Sequence, residues 1–390
     1  ANDTNGALDI FVYNRQTGIT ERVSVSSQGT QGNGVSRIPF LSADGRFVAF
    51  MSAADNLIAN DTNGDSDIFV RDRQTGTTER VSIASQGGEG NGQSFFTALS
   101  ADGRFVAFTS YASNLVTNDT NEVPDIFVRD RQTGTTERIS NATGVDATGH
   151  LLPTLSADGR FVAFVSTDPL VPDDTNSDYD VFVYDRQTGA IERVSIPATG
   201  QQFDAFSSGR THFEMSANGR FVVFLSTRDN LGALITDPLN QHALLVRDRQ
   251  VGTTTMVGKT NGALSPERPA ISVDGRFVGF IVHTSPLGPF GHIGHATVYD
   301  RLTNTTEQVS VSSTGEQSNY YDQGVKISAD GSFVAFSSLA NNLVPNDTNG
   351  VSDVFVRDRR KNAPFIANPS GPYVGWASSQ ERATFINFDG

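Results

Sequence analysis

Short apolar runs rich in Phe, Val, Ile and Ala recur along the chain between polar, glycine-containing stretches. In Phe47-Val48-Ala49-Phe50 every position is apolar, so the strand it predicts is covered on both faces. Asp44-Gly45, just before it, supplies the positive-φ residue of a tight turn. A second run, Ile68-Phe69-Val70, is followed by Arg73-Gln74-Thr75-Gly76, with glycine where a turn needs a left-handed residue. Thr77 to Ser82 then alternates, as an outer, half-exposed strand does. Each phrase predicts a β-hairpin, and no stretch has helical periodicity.

Both phrases repeat. Leu41-Ser-Ala-Asp-Gly-Arg-Phe-Val-Ala-Phe50 returns at Leu99 to Phe108 and Leu155 to Phe164, and in altered form at Met215, Ile271 and Ile327. Its glycines (Gly45, Gly103, Gly159, Gly219, Gly275, Gly331) are spaced 58, 56, 60, 56 and 56 residues apart. The second phrase starts near Asp9, Asp67, Asp125, Asp180, Ala243, Ala296 and Asp353. Four strands per period, joined by hairpins, predict blades that cover one another's apolar faces around a central axis.

Ser42-Ala-Asp-Gly-Arg-Phe-Val-Ala-Phe50 followed by Asp67-Ile-Phe-Val-Arg-Asp72 resembles the repeat of TolB-like β-propellers, with alanine where that family usually has proline. The resemblance spans roughly residues 1–362 and implies a β-propeller. It implies little about activity, because that scaffold hosts enzymes, receptors and adaptors.

The sequence opens in the middle of a repeat: Ile10 to Ser24 is a second hairpin without its first. Six full repeats follow, giving six blades plus a half-blade within residues 1–362. The remaining segment, 363–390, departs from the repeat. Asn362-Ala-Pro-Phe-Ile-Ala-Asn-Pro-Ser-Gly-Pro-Tyr373 with Ala383-Thr-Phe-Ile-Asn-Phe-Asp-Gly390 resembles the opening strands of a polycystic-kidney-disease-type immunoglobulin-like domain, with Ser370 in place of its first glycine. So short a piece cannot bury its own core. The expectation is a strand-donating tail that completes a seventh blade in its own molecule or a neighbour. Ile10 and Val12 would then be the acceptor, and Tyr373, Val374, Phe385 and Phe388 the donor. Donation to a neighbour is head-to-tail and generates filaments.

Composition narrows the function. With no cysteine, disulfides and thiolate chemistry are excluded. A net charge of -14 argues against nucleic acid, and no apolar window is long enough for a membrane span. Of the 29 basic residues 26 are arginine, which suits fixed pairing with carboxylates.

The polar connector Asn60-Asp-Thr-Asn-Gly-Asp-Ser-Asp67 recurs. Asp61, Asn63, Asp65 and Asp67 mimic the first half of a calcium loop, though no bidentate glutamate follows at the expected place. The competing reading is an Asx-turn loop whose last aspartate braces its own blade. Six serines in Ser-Ala-Asp-Gly cannot each be a nucleophile with its own base, so they read as structural. His292 and His295, with His283, make too small a set for zinc and read as a solvated glycine-rich loop. Arg71-Asp72-Arg73 reads as inter-blade ion pairing or a solvated turn.

These features lead to the expectation of an extracellular or cell-surface, bacterial-type secreted propeller that is not an enzyme. Its partners would be further copies of itself, by strand exchange, or other surface proteins, with calcium the one candidate cofactor. The alternatives are a carbohydrate-binding or carbohydrate-cleaving propeller, for which Tyr320, Tyr321, His283 and Glu267 would converge, and a TolB-like envelope adaptor.

Overall fold

The computed structural model describes residues 3–121, 123–140, 152–176, 178–197, 213–226, 243–257, 263–264, 269–288, 291–345, 347–348, 350–360 and 363–366. The chain is all-β, a β-propeller with six complete blades. It divides into two compact units, Ala1–Asp178 with Phe182–Glu192, and Tyr179–Val181 with Arg193–Ala383.

The first unit begins with a two-stranded half-blade, β1 (Phe11–Asn14) and β2 (Ile19–Arg22). Blade one is β3 (Ser36–Leu41), β4 (Phe47–Ser52), β5 (Asp67–Asp72) and β6 (Thr77–Arg80). Blade two is β7 (Ser94–Leu99), β8 (Phe105–Ser110), β9 (Asp125–Asp130) and β10 (Thr135–Arg138). Blade three is β11 (Thr154–Leu155), β12 (Phe161–Ser166), β13 (Asp180–Asp185) and β14 (Ala190–Arg193).

In the second unit, blade four is β15 (Phe213–Met215), β16 (Phe221–Ser226), β17 (Ala243–Asp248) and β18 (Thr253–Met256). Blade five has β19 (Ala263–Leu264) and β20 (Ala270–Ile271), both paired with β21 (Phe277–Gly288), then β22 (Gly291–Asp300) and β23 (Thr305–Gln308). Blade six is β24 (Asp322–Ile327), β25 (Phe333–Ser338), β26 (Asp353–Asp358) and β27 (Ala363–Ile366). β27 moves the boundary expected at residue 362: 363–366 belong to the propeller as the outer strand of blade six. Pro364 hid it, but a proline is tolerated on an edge strand whose outward N–H has no ladder to serve. The rest of the expected tail lies outside the described residues.

Central strands are buried on both faces, as their composition requires: Val48, Ala49, Phe50, Ile68, Phe69 and Val70 are all essentially inaccessible. The Ser-Ala-Asp-Gly turn is self-locked. Ser42 Oγ donates to Asp44 Oδ1 at 2.6 Å and accepts from Phe47 N at 2.8 Å, while Gly45 takes φ +70°. The same bonds recur at Ser100, Ser156, Ser272 and Ser328. This occupies the serine hydroxyls structurally.

Arg71-Asp72-Arg73 divides into three tasks. Arg71 is buried and donates to the carbonyls of Gly76 and, in the half-blade segment, Ser26. Asp72 takes a two-pronged bond from Arg46 (3.0 and 2.6 Å), which holds its carboxyl well below the usual range. Arg73 reaches back to Glu21 at 2.8 Å and to the Gly45 carbonyl.

A further contact links consecutive blades. The Phe47 ring lies between the guanidinium groups of Arg46 and, from blade two, Arg131, at 4.6 and 4.5 Å. It covers Gly103 so closely that a Cβ there would sit 2.2 Å from a ring carbon. Phe105 covers Gly159, Phe221 covers Gly275, and Phe277 covers Gly331 in the same way.

Candidate functional site

The connector of blade one folds as a carboxylate cluster closed by an arginine. Asp61, Asp67 and Glu89 bring one oxygen each within 4.8 Å of one another. Arg80 Nη1 lies 3.3 Å from Asp61, 3.0 Å from Asp67 and in hydrogen-bond contact with Glu89. Burial, with Asp67 beside it, pushes the Asp61 carboxyl up to about 6. Burial also raises Asp67, against bonds from Ser82 and Arg80. Glu89 is held down at about 2: hydrogen bonds from Thr62 and Arg80 outweigh its burial.

Of the four proposed calcium ligands, Asp61 and Asp67 meet, but Asn63 and Asp65 do not join them as ligands. Asn63 donates to the Gly90 carbonyl (3.0 Å), and its oxygen accepts the Asp65 N–H (2.8 Å) in an Asx turn that leaves Asp65 exposed. The positive charge among the carboxylates belongs to Arg80. Glu89 escaped the sequence reading because it lies in the next connector; the signal was a long polar side chain recurring there, at Gln31, Glu89 and Gln317. In the half-blade, Gln31 bonds Asp3 and Asp9 at 2.9 and 2.8 Å.

The half-blade is the second feature. Ile10 and Val12 are buried with Val23, Val48, Phe50 and Phe69. With the two-residue period of a strand, Phe11 takes the opposite face. In blades one, two, three and six the equivalent phenylalanine stacks on one from the second strand: Phe69 on Phe50, Phe127 on Phe108, Phe182 on Phe164 and Phe355 on Phe336, at 5.7–6.0 Å; blades four and five carry Leu245 and Thr297 there. Those eight rings are fully buried. Phe11 is 38% exposed, with the Arg22 guanidinium over it at 5.5 Å. Gly45 lacks the cover its counterparts have, and no ring lies beside Arg73 among the described residues. Tyr373, Val374, Phe385 and Phe388 fall outside those residues.

The expected solvated loop around His295 is instead strand. β21 and β22 stay paired past the point where other blades break into the connector, and His295 is 5% exposed. Glu267 and the His283 side chain lie outside what is described, while Tyr321 packs beside Gly294.

No protein-family profile and no curated protein matches the sequence. Among solved structures, the β-propeller domain of the Trilobed protease from Pyrococcus furiosus is 14% identical over 83% of this chain and 81% of that one, with a TM-score of 0.53. An oligogalacturonate lyase from Vibrio parahaemolyticus is 13% identical over 92% and 83%, with a TM-score of 0.54. TolB from Acinetobacter baumannii is 18% identical over 79% of this chain, which spans 60% of TolB, with a TM-score of 0.44. The likenesses to the protease propeller and the lyase show the fold. They also correct one expectation: since a lyase shares this blade architecture, the repeats do not support the statement that the chain is not an enzyme. No helix among the described residues is long and apolar enough to cross a membrane.

Proposed function

We propose that this propeller acts in protein–protein interaction as a β-strand acceptor, and that the donor is the C-terminal segment of a second copy, giving head-to-tail assembly at a cell surface. The observation that carries this reading is Phe11, whose phenylalanine counterparts in blades one, two, three and six are stacked and inaccessible. A second strand supplied to β1 would need one phenylalanine on Phe11 and another, three residues earlier, over Gly45 and beside Arg73. Every blade supplies that pair, as Phe47 and Phe50 do. Phe385 and Phe388 have the same spacing in Thr384-Phe-Ile-Asn-Phe388. Main-chain pairing would add affinity, and the two rings would set register.

The chain has no cysteine, so the test is clean. Phe11→Cys and Phe388→Cys, made in separate molecules and mixed, should form a disulfide-linked dimer under mild oxidation, and wild-type oligomers should dissociate on Phe385→Ala/Phe388→Ala substitution. A cross-link formed only when both cysteines share one molecule would replace assembly by self-closure.

A carbohydrate ligand is the second reading, favoured by one aromatic group. Phe96 takes φ +47° at a bulge, and Phe95 contacts both Phe96 (5.0 Å) and Tyr111 (5.6 Å), which is 53% exposed. Titration with oligogalacturonate should then shift Tyr111 ring resonances, and no shift at millimolar ligand would dismiss it.

A further inference from the structure

Blade five departs from the repeat at positions that compensate one another. The aspartate that starts the third strand in blades one, two, three and six (Asp67, Asp125, Asp180, Asp353) is His295 in β22, and Gln308 stands where Arg80 stands in blade one. On β24, Asp322 replaces the serine that pairs with a second-strand serine in blades one and two, Ser36 with Ser52 and Ser94 with Ser110. Gly90 becomes Ser318. The carboxyl lost from one strand is thus restored from its neighbour, but without the arginine.

The restored group is built into a chain of bonds. Ser318 Oγ donates to Asp322 Oδ2 at 3.1 Å and lies 3.0 Å from His295 Nδ1. Ala296 N–H is shared between Asp322 Oδ2 (3.0 Å) and Ser310 Oγ (3.1 Å). His295, Ser318 and Asp322 are all buried. The groups facing Asp322 are hydroxyls from Ser310, Ser318 and, on β25, Ser338. On β21, Val282 lies opposite His295. Gln308 is bonded to Gln317. The position matters because the β21–β22 pairing continues from it to Gly288 and Gly291, an arm that occupies the place of the connector.

We infer that His295, Ser318 and Asp322 hold one proton in common, resting on the carboxyl in the folded chain and passing to the imidazole when the strands open, so that the base of the arm keeps its strength on acidification. Burial pushes Asp322 up to about 6 and pushes His295 down. The closed site therefore carries its proton as a carboxylic acid, where burying a charge costs most. The open chain carries it on histidine, whose ordinary value is about 6.5. Below about pH 6, and for as long as the lowered imidazole stays neutral in the closed site, both states bind one proton, and an equilibrium that exchanges no protons does not respond to pH.

Hydrogen exchange of the Ala296 amide in the full chain, corrected for intrinsic rates, tests this from pH 4.5 to 6.5. Wild-type protection should stay constant within about threefold. In Asp322→Asn only the histidine titrates, so protection should fall on acidification by up to about tenfold per pH unit. In His295→Gln only the carboxyl titrates, and protection should rise by a similar factor as pH falls from 6. Slopes of the same sign in the two variants, or a wild-type change above about tenfold, would overturn the inference. Should a variant fail to fold, wild-type NMR decides: a protonated imidazole beside an ionised Asp322 at pH 5.5 overturns it, and a neutral imidazole beside a carboxylic acid upholds it.

Discussion

Gly45 and Gly103 occupy the same turn in consecutive blades with nearly the same backbone, φ +70° and +73°, yet alanine should be tolerated very differently at the two. Each Gly→Ala change costs about 1–2 kcal/mol for placing a Cβ in the left-handed region, offset by roughly 0.4–1 kcal/mol from the restricted unfolded chain. At Gly45 the nearest atoms to the new methyl are Arg73 Nη1 at 3.7 Å and Leu41 Cδ2 at 3.9 Å, ordinary contacts. At Gly103 the methyl meets three Phe47 atoms at 2.2, 2.6 and 2.9 Å, and the ring is pinned between two arginines. Overpacking of that kind costs roughly a further 1–3 kcal/mol. Urea unfolding followed by far-UV circular dichroism, at protein concentrations low enough to keep the chain monomeric, should therefore give Gly103→Ala the lower midpoint by that increment. Coincident midpoints at equal slopes would mean that the ring-on-glycine contact contributes nothing. At assembling concentrations the order changes meaning: Gly45→Ala should block the seat proposed for Phe385 and suppress oligomers while leaving monomer stability nearly intact.

Asp61→Asn should raise the unfolding midpoint at pH 8 and have no effect at pH 4. A carboxyl whose folded value is raised to about 6 stabilises the fold while protonated and loses that contribution as pH rises through 6. A midpoint gain that persists at pH 4 would contradict the assignment. Arg80→Gln strands buried carboxylates and should cost about 3–5 kcal/mol. Millimolar calcium, measured by differential scanning calorimetry, should restore part of that loss in the variant and leave the wild type unchanged. Equal calcium stabilisation of both would show that the arginine does not occupy the cation position. Phe69→Ala should cost about 3–5 kcal/mol, as a buried ring does, and Phe11→Ala under about 1 kcal/mol in the monomer. Denaturant titration of the two would reveal a hidden partner on Phe11 if the costs matched.

The repeat made the strands, turns and blade count legible, because each turn glycine and each apolar run acts locally. What could not be read depends on contacts a whole repeat apart. Asp44-Gly45 announced a turn, but nothing near Gly103 announces that Phe47, from the blade before, lies against it. Ile10 and Val12 were visible as apolar residues of an open strand. Which face of that strand is filled depends on blade one, and this left Phe11 as the exposed residue. Asp61 and Asp67 were found by oxygen spacing, whereas Arg80 and Glu89 enter from another strand and another connector. β27 was missed because its sequence shares nothing with Thr-Thr-Glu-Arg; pairing with β26 alone defines it.

The backward reach of Arg73 to Glu21, repeated by Arg131 to Glu79, Arg186 to Glu137 and Arg359 to Glu307, has a consequence for how such a chain changes length. Each of these four arginines finds a glutamate one repeat earlier, whereas Arg301 in blade five has Thr255 at that place. Excising the 58 residues Gly45 to Asp102 would keep the register and bring Arg131 to Glu21, the same pair of side chains as Arg73 with Glu21. Repeat number is therefore a coordinate along which this protein can vary by duplication or loss of gene segments while the arginine–glutamate pair across the junction is kept.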